Sequence, residues 1–206
     1  MPYLSLDVGE LETNCYLFHE EAGRECLVID PGAEAERIMA LIEERALLPR
    51  AVVLTHGHPD HAGAAATLMD HYRIPLWLHA ADEELMRSEA GRALAAMFGV
   101  GPLPAAGRLL REGDALACGA LALNVMHSPG HSPGSLLFHG QGLLFTGDTL
   151  FRGDVGRCDL SGGDGKELRH SLARIRELPA HTVILPGHGP ASVLELELRE
   201  NPYLGA

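Results

Sequence analysis

Lysine is almost absent from this chain: Lys166 is the only one, and arginine supplies the rest of the 16 basic residues. Against 28 acidic residues they leave a net charge of -12. That balance argues against nucleic acid as the main partner, because duplex binding rests on lysine and arginine neutralising phosphates. The arginine bias fits genome composition and a hot habitat equally well. No run approaches the roughly 18 uninterrupted apolar residues that span a bilayer, and the opening "MPYLSLDVGE" has no positive segment leading into an apolar one. A cytoplasmic protein without a membrane partner is expected. A C-x-x-C pair is also missing: Cys15, Cys26, Cys118 and Cys158 lie far apart. Neither a zinc ribbon nor a redox dithiol is indicated, and reduced, mostly buried thiols are expected.

There is no low-complexity tract, linker or short-period repeat. A chain of 206 residues that is 46% hydrophobic can bury a sizeable core, and a single domain over 1–206 is expected. The pattern starts with β-like runs "CYLF" (15–18) and "CLVID" (26–30), read as a hairpin. An amphipathic helix follows over 33–48, with Ile38, Leu41, Ile42 and Leu48 at helical spacing. Then come the strand "AVVL" (51–54), an alanine-rich helix over 62–72, the strand "PLWLH" (75–79) and a helix over 81–98. "GVGPLPAAG" (99–107) has too much Gly and Pro to continue a helix and reads as a loop. β-like segments return in 115–127, 135–140 and 142–148, with a helix over 167–178 and a last strand in "HTVILPGHG".

What the chain has in excess is histidine at strand ends. "THGHPDH" (55–61) puts three histidines and an aspartate into seven positions directly after "AVVL". With 12 His and 10 Asp in the chain, H-x-H-x-D-H should arise by chance in only roughly 0.2% of such sequences. A solvated polar loop is the bland alternative and leaves that density unexplained. Three more apolar runs end in the same way: "LNVMHSPGHSPGS" places His131 after a strand, "LLFTGDTLF" places Asp148, and "TVILPGHGP" places His188. If those ends share one edge, seven nitrogen and oxygen ligands converge on rigid elements, too many for one tetrahedral ion. Two ions divide them naturally, with His56, His58 and His131 on one, Asp60, His61 and His188 on the other, and Asp148 bridging. Such ion pairs stand about 3.5 to 4 Å apart and hold a hydroxide between them. His19, His71, His79, His127, His139, His170 and His181 lie in or beside predicted elements and are expected to be solvated or internally hydrogen-bonded. Asp30 in "VIDPG" is either a partner behind a ligand histidine or a turn former.

Taken in order, "TNCYL", "VIDPG", "THGHPDH", "PGHSPGS", "FTGDTLF" and "PGHG" resemble the metallo-β-lactamase superfamily, and within it the glyoxalase II-like branch. The resemblance implies an α/β fold, a four-layer αββα sandwich of two mixed sheets flanked by helices, with zinc or iron ions at one edge. It implies a hydrolase of small acyl thioesters such as S-hydroxyacylglutathione, with Asp60 and Asp148 as catalytic carboxylates and Arg157 as the basic residue that meets the glutathione carboxylate. An exposed, salt-bridged Arg157 is the alternative. The chain stops 18 residues after His188, so the C-terminal helical domain of full-length glyoxalase II enzymes is expected to be absent. Gly189 and Pro190 stand where those enzymes place a tyrosine. Weak dependence on the glutathione moiety is therefore expected. A mononuclear-iron oxidoreductase of the persulfide dioxygenase type resembles the same motifs, and a metal-stabilised binding module is a third possibility. Oligomeric state is left open.

Overall fold

Period-two burial along the strands builds the molecule from the inside out. In the computed structural model, which describes residues 2–204, six strands form a first sheet. In spatial order they are β1 (Tyr3–Val8), β2 (Thr13–His19), β3 (Glu25–Ile29), β4 (Leu48–Val53), β5 (Leu76–His79) and β6 (Arg108–Leu110). β1 to β3 pair antiparallel and β3 to β6 parallel. The second sheet runs β14 (Ser192–Val193), β13 (Val183–Pro186), β10 (Leu143–Gly147), β9 (Leu136–Gly140), β8 (Leu121–His127), β7 (Ala115–Cys118). Only its β10–β13 pair is parallel. A two-stranded ribbon joins β11 (Leu150–Phe151) to β12 (Asp154–Val155).

Leu27, Ile29, Ala51 and Val53 point inward and meet Leu123, Val125, Phe138, Phe145 and Leu185 of the other sheet. Phe145 packs edge-on against Phe18 and Tyr16, with centroids 6.0 and 5.2 Å apart. Each such fully buried side chain contributes about 1.5–3 kcal/mol, and aromatic pairing adds to that. The intervening residues Cys26, Val28, Val52 and Leu54 face outward, under Ile38 and Ile42 of α1 (Ala35–Glu44) and Leu68 of α3 (Ala65–Tyr72). On the far side Leu137, Leu144 and Ile184 lie under Leu168, Leu172 and Ile175 of α6 (Gly165–Ile175) and Leu194 of α7 (Leu194–Glu200). The result is the expected αββα sandwich. The described residues contain no helix long and apolar enough to cross a membrane.

Local departures have local causes. The first helix stops at Glu44, because Ala46 turns left-handed and the Leu48 amide is taken by the Arg24 carbonyl at 2.6 Å. The helix expected over 81–98 is two helices, α4 (Ala80–Arg87) and α5 (Glu89–Met97), since Ser88 is extended and its side chain caps the second by accepting from the Gly91 amide. β1, β6 and α7 were not foreseen; β1 is half-buried and gains its place from pairing with β2 rather than from a strong apolar pattern.

Candidate metal centre

Four strand ends deliver the donors. The turn after β4 carries His56 and His58 and runs into α2 (Pro59–Ala62), which holds Asp60 and His61. His131 follows β8, Asp148 follows β10, and His188 follows β13. Backbone bonds tie these ends together: the Leu136 amide donates to the Thr55 carbonyl at 2.7 Å, and the Gly187 amide to the Gly147 carbonyl at 2.8 Å. The approach at Gly187 demands glycine, because a Cβ there would lie 2.3 Å from Asp148 Oδ1 and 2.6 Å from His61 Cε1.

Three groups have donor atoms within 4.8 Å of one another: His56–His58–His131, Asp60–His61–His188, and Asp30–His56–His61, which overlaps both. The first two are the triplets expected from the sequence, and the third adds Asp30 behind them. Asp148 stands between them, its carboxylate 3.2 Å from His61 Nε2 and 3.6 Å from the Nε2 atoms of His131 and His188.

The partners behind the rings decide which nitrogen faces inward. Carbonyl and carboxylate oxygens only accept, so His131 Nδ1 donates to the Arg157 carbonyl (2.7 Å), His188 Nδ1 to the Leu11 carbonyl (2.9 Å) and His61 Nδ1 to Asp30 Oδ2 (3.0 Å). The Thr55 hydroxyl spends its proton on Asp30 Oδ2 at 2.6 Å, which leaves it to accept from His56 Nδ1 at 3.0 Å. In their neutral forms, which ligation requires, these four rings turn their Nε2 lone pairs inward, the usual consequence of partners placed behind metal-ligating imidazoles. The inward nitrogens come close: His58 Nδ1 is 2.8 Å from His131 Nε2, and His61 Nε2 is 3.2 Å from His188 Nε2. His56 Nε2 and Asp148 Oδ1 are buried without a hydrogen-bond partner. Orphaned polar atoms cost about 1–3 kcal/mol each, and divalent cations would satisfy all of these at once. The donor set fits metal ions.

Residues 8–188 match the metallo-beta-lactamase superfamily. The chain belongs to that superfamily. Among its relatives, the probable metallo-hydrolase YqgX of Bacillus subtilis is 34% identical, over 99% of this chain and 98% of YqgX. Hydroxyacylglutathione hydrolase GloC of Haemophilus influenzae is 35% identical over 98% and 97% of the two chains. Among solved structures, that of TTHA1623 in a di-iron-bound form is 41% identical with a TM-score of 0.88, covering 98% of this chain and 100% of that one. Superfamily members are mostly hydrolases that bind divalent zinc or iron, so both the fold and the class of centre agree with the geometry.

Burial and charge divide the two triplets of this metallo-beta-lactamase-type centre. Burial, reinforced by neighbouring imidazoles, holds His56 well below the usual histidine range, and burial together with His131 lowers His58 to about 4. Both stay neutral, as ligands must. Burial also opposes a charge on His61, but Asp148 and Asp30 outweigh it and raise that ring well above its usual value. On Asp60 burial pushes upward and is overcome by the His188 contact and the charge of His61, so the carboxyl is lowered. Asp148 is lowered likewise, burial yielding mainly to His61.

Three supports escaped the sequence. Asp82, in α4, accepts from the Gly57 amide (2.7 Å), the Gly134 amide (2.6 Å) and the Ser132 hydroxyl (2.7 Å), which clamps the loop of His56 and His58 to the loop of His131. Burial raises its pKa and those three hydrogen bonds oppose the rise. The Arg157 and Leu11 carbonyls are backbone groups, invisible to any motif. Asp30 proves to be both of its alternatives: its backbone is left-handed, φ 50°, and its carboxylate holds His61 and Thr55. The Arg157 guanidinium is exposed and paired with Asp159 at 2.6 and 2.8 Å. None of the seven histidines set aside earlier joins a donor group among the described residues; His79 and His127 stack on each other at 4.4 Å, while His71, His170 and His181 are exposed.

Proposed function

We propose that this chain is a cytoplasmic, metal-dependent hydrolase of small acyl thioesters such as S-hydroxyacylglutathione, acting with two divalent ions, zinc or iron, and without nucleic acid or membrane. The observation that carries the proposal is the convergence of five imidazoles and two carboxylates on one edge, with His56 Nε2 and Asp148 Oδ1 buried there without a hydrogen-bond partner. When bound, the ions supply Lewis acidity and lower the pKa of a coordinated water towards neutrality. His56, His58 and His131 would hold one ion and Asp60, His61 and His188 the other, with Asp148 shared. Asp60, kept ionised, accepts a hydrogen from the attacking water and so orients it. The water oxygen bonds to the acyl carbon, the C–S bond breaks, and the products are a carboxylic acid and a free thiol. Arg157 offers its guanidinium to a carboxylate on the thiol carrier once it leaves Asp159. GloC is matched over 97% of its length, so a hydroxyacylglutathione hydrolase name goes with a chain of this span.

The test is a paired assay of protein loaded with zinc or with iron(II): thioester hydrolysis and oxygen uptake with a persulfide. Hydrolysis with either metal and no oxygen uptake is expected. Oxygen uptake restricted to iron, without hydrolysis, would establish the mononuclear-iron dioxygenase alternative. Arg157→Ala should raise KM for the glutathione thioester several-fold while leaving kcat nearly unchanged, as loss of uniform binding does.

A further inference from the structure

A cavity of about 550 Å³ lies behind the ligand loop, within the size range of small-molecule sites. Its wall is apolar, built by Leu76 and Leu78 of β5, Met86 of α4, Ala95 of α5, and Val100 and Leu103 of the following loop. Gly57 and Pro59, the residues that flank His58, close it on the side of the metal centre. A smaller cavity of about 150 Å³ adjoins it, sharing Gly57, Pro59, Met86 and Gly91, and is lined by His58 itself together with Leu85, Leu94 and Leu160. Apolar walls therefore extend from a donor histidine to the far side of α4, in two neighbouring cavities with Gly57, Pro59, Met86 and Gly91 between them. The helix roofing it, α5, contributes no buried residue. Its cover lacks the packing that a filled interior would give. Among the polar groups of the wall, Glu83 is already engaged by the Ala106 amide at 2.9 Å and by Arg87 at 3.0 Å. Arg92 bonds to the Arg87 carbonyl. Most of what remains is aliphatic and recognises hydrocarbon.

We propose that this double cavity receives the acyl chain of the substrate, and that the preferred substrates are thioesters of unbranched, medium-length aliphatic acids. The inference rests on the thioesterase proposal for the centre and adds its substrate class. Transfer of one methylene from water into such a wall favours binding about fourfold. From acetyl to hexanoyl the gain is roughly 250-fold if every methylene is buried.

The experiment measures kcat/KM of the metal-loaded enzyme for acetyl to octanoyl thioesters of N-acetylcysteamine, beside calorimetric binding of octanoate. The expected result is a rise of about fourfold per methylene until the cavity is full, together with octanoate binding. Ala95→Trp and Leu103→Trp, which fill the cavity from the exposed helix and from the loop, should flatten the series and abolish octanoate binding. Met97→Ser, on the outer surface of α5, should leave the slope intact. A flat wild-type series with acetyl thioester turned over, or a full slope in both tryptophan variants, overturns the inference and leaves the thioesterase proposal standing. Octanoate binding that both tryptophan variants lose, with no thioester hydrolysed, overturns the thioesterase proposal and supports the cavity as an aliphatic site.

Discussion

Asp148 is the residue on which both donor groups depend. It lies within 3.6 Å of inward nitrogens from each triplet, on His131 in one and on His61 and His188 in the other. Removing it takes a carboxylate from both and leaves three imidazole nitrogens facing one another without the compensating charge. His71 has the same side-chain chemistry as the donors but is exposed at the end of α3. Asp148→Ala should therefore lower bound metal by more than half relative to wild type after reconstitution and dialysis, and His71→Ala should leave it unchanged. Elemental analysis decides; equal loss in the two variants would mean that the donor assignment is wrong. The convergence of these seven residues was legible in the sequence, because four follow one apolar run, the other three follow three more, and ligand chemistry restricts the choice to few residue types. Their tautomers were not legible. Those depend on the carbonyls of Leu11 and Arg157, which any residue type supplies, and on a threonine whose role follows from Asp30.

At the scale of elements, the centre is held by the clamp that α4 places between two loops. Asp82 satisfies two amides and a hydroxyl, all buried, from segments some 25 and 50 residues away in sequence. Asp82→Ala strands the Gly57 and Gly134 amides, whereas the Ser132 hydroxyl can turn to Ser135 Oγ at 2.7 Å; at about 1–3 kcal/mol for each polar group left without a partner, a loss of about 2–5 kcal/mol in stability is expected. The more telling readout is spatial. The clamp joins the loops of His56, His58 and His131, so that triplet should lose metal affinity, while Asp60–His61–His188, supported by Asp30 and Leu11, keeps its own. Metal titration showing one weakened and one intact site supports the clamp; two intact sites would show that the loops hold their places without it. Asp82 was hidden because its partners are backbone amides of other elements. The two-helix form of 80–97 was hidden for a related reason. Ser88 ends one helix and caps the next through local hydrogen bonds that compete with helix continuation, and hydrophobic spacing does not register that competition. By contrast, strands β3, β4, β9, β10 and β13 stood out because they are buried on both faces and read as continuous apolar runs.

At the scale of the molecule, the candidate metal centre is a seam between the two halves. His56, His58, Asp60 and His61 follow the first sheet, whereas His131, Asp148 and His188 follow the second. Ions held there would cross-link the two sheets at one edge. The fold does not depend on that link alone. Three apolar clusters, one between the sheets and one under each helical layer, already supply a core of a size that supports a stable domain without metal. Metal removal should therefore lower stability without unfolding the protein, unlike a small zinc domain whose folding free energy is its binding free energy. Ligand binding stabilises by RT ln(1 + [L]/Kd), about 2.7 kcal/mol at a hundredfold excess over Kd. A domain of this length shifts its melting temperature by about 2–4 °C for each kcal/mol. Zinc or iron(II) at that excess should raise Tm by roughly 5–11 °C per ion bound, and chelated protein should still melt cooperatively with its far-ultraviolet dichroism intact. The check is a calorimetric melt of chelated and reconstituted protein at one pH, with His56→Ala as the control that should lose much of the shift. A Tm insensitive to metal would show that the convergent imidazoles do not hold an ion, and a chelated protein without a cooperative melt would show that the seam carries more of the fold than its three cores do.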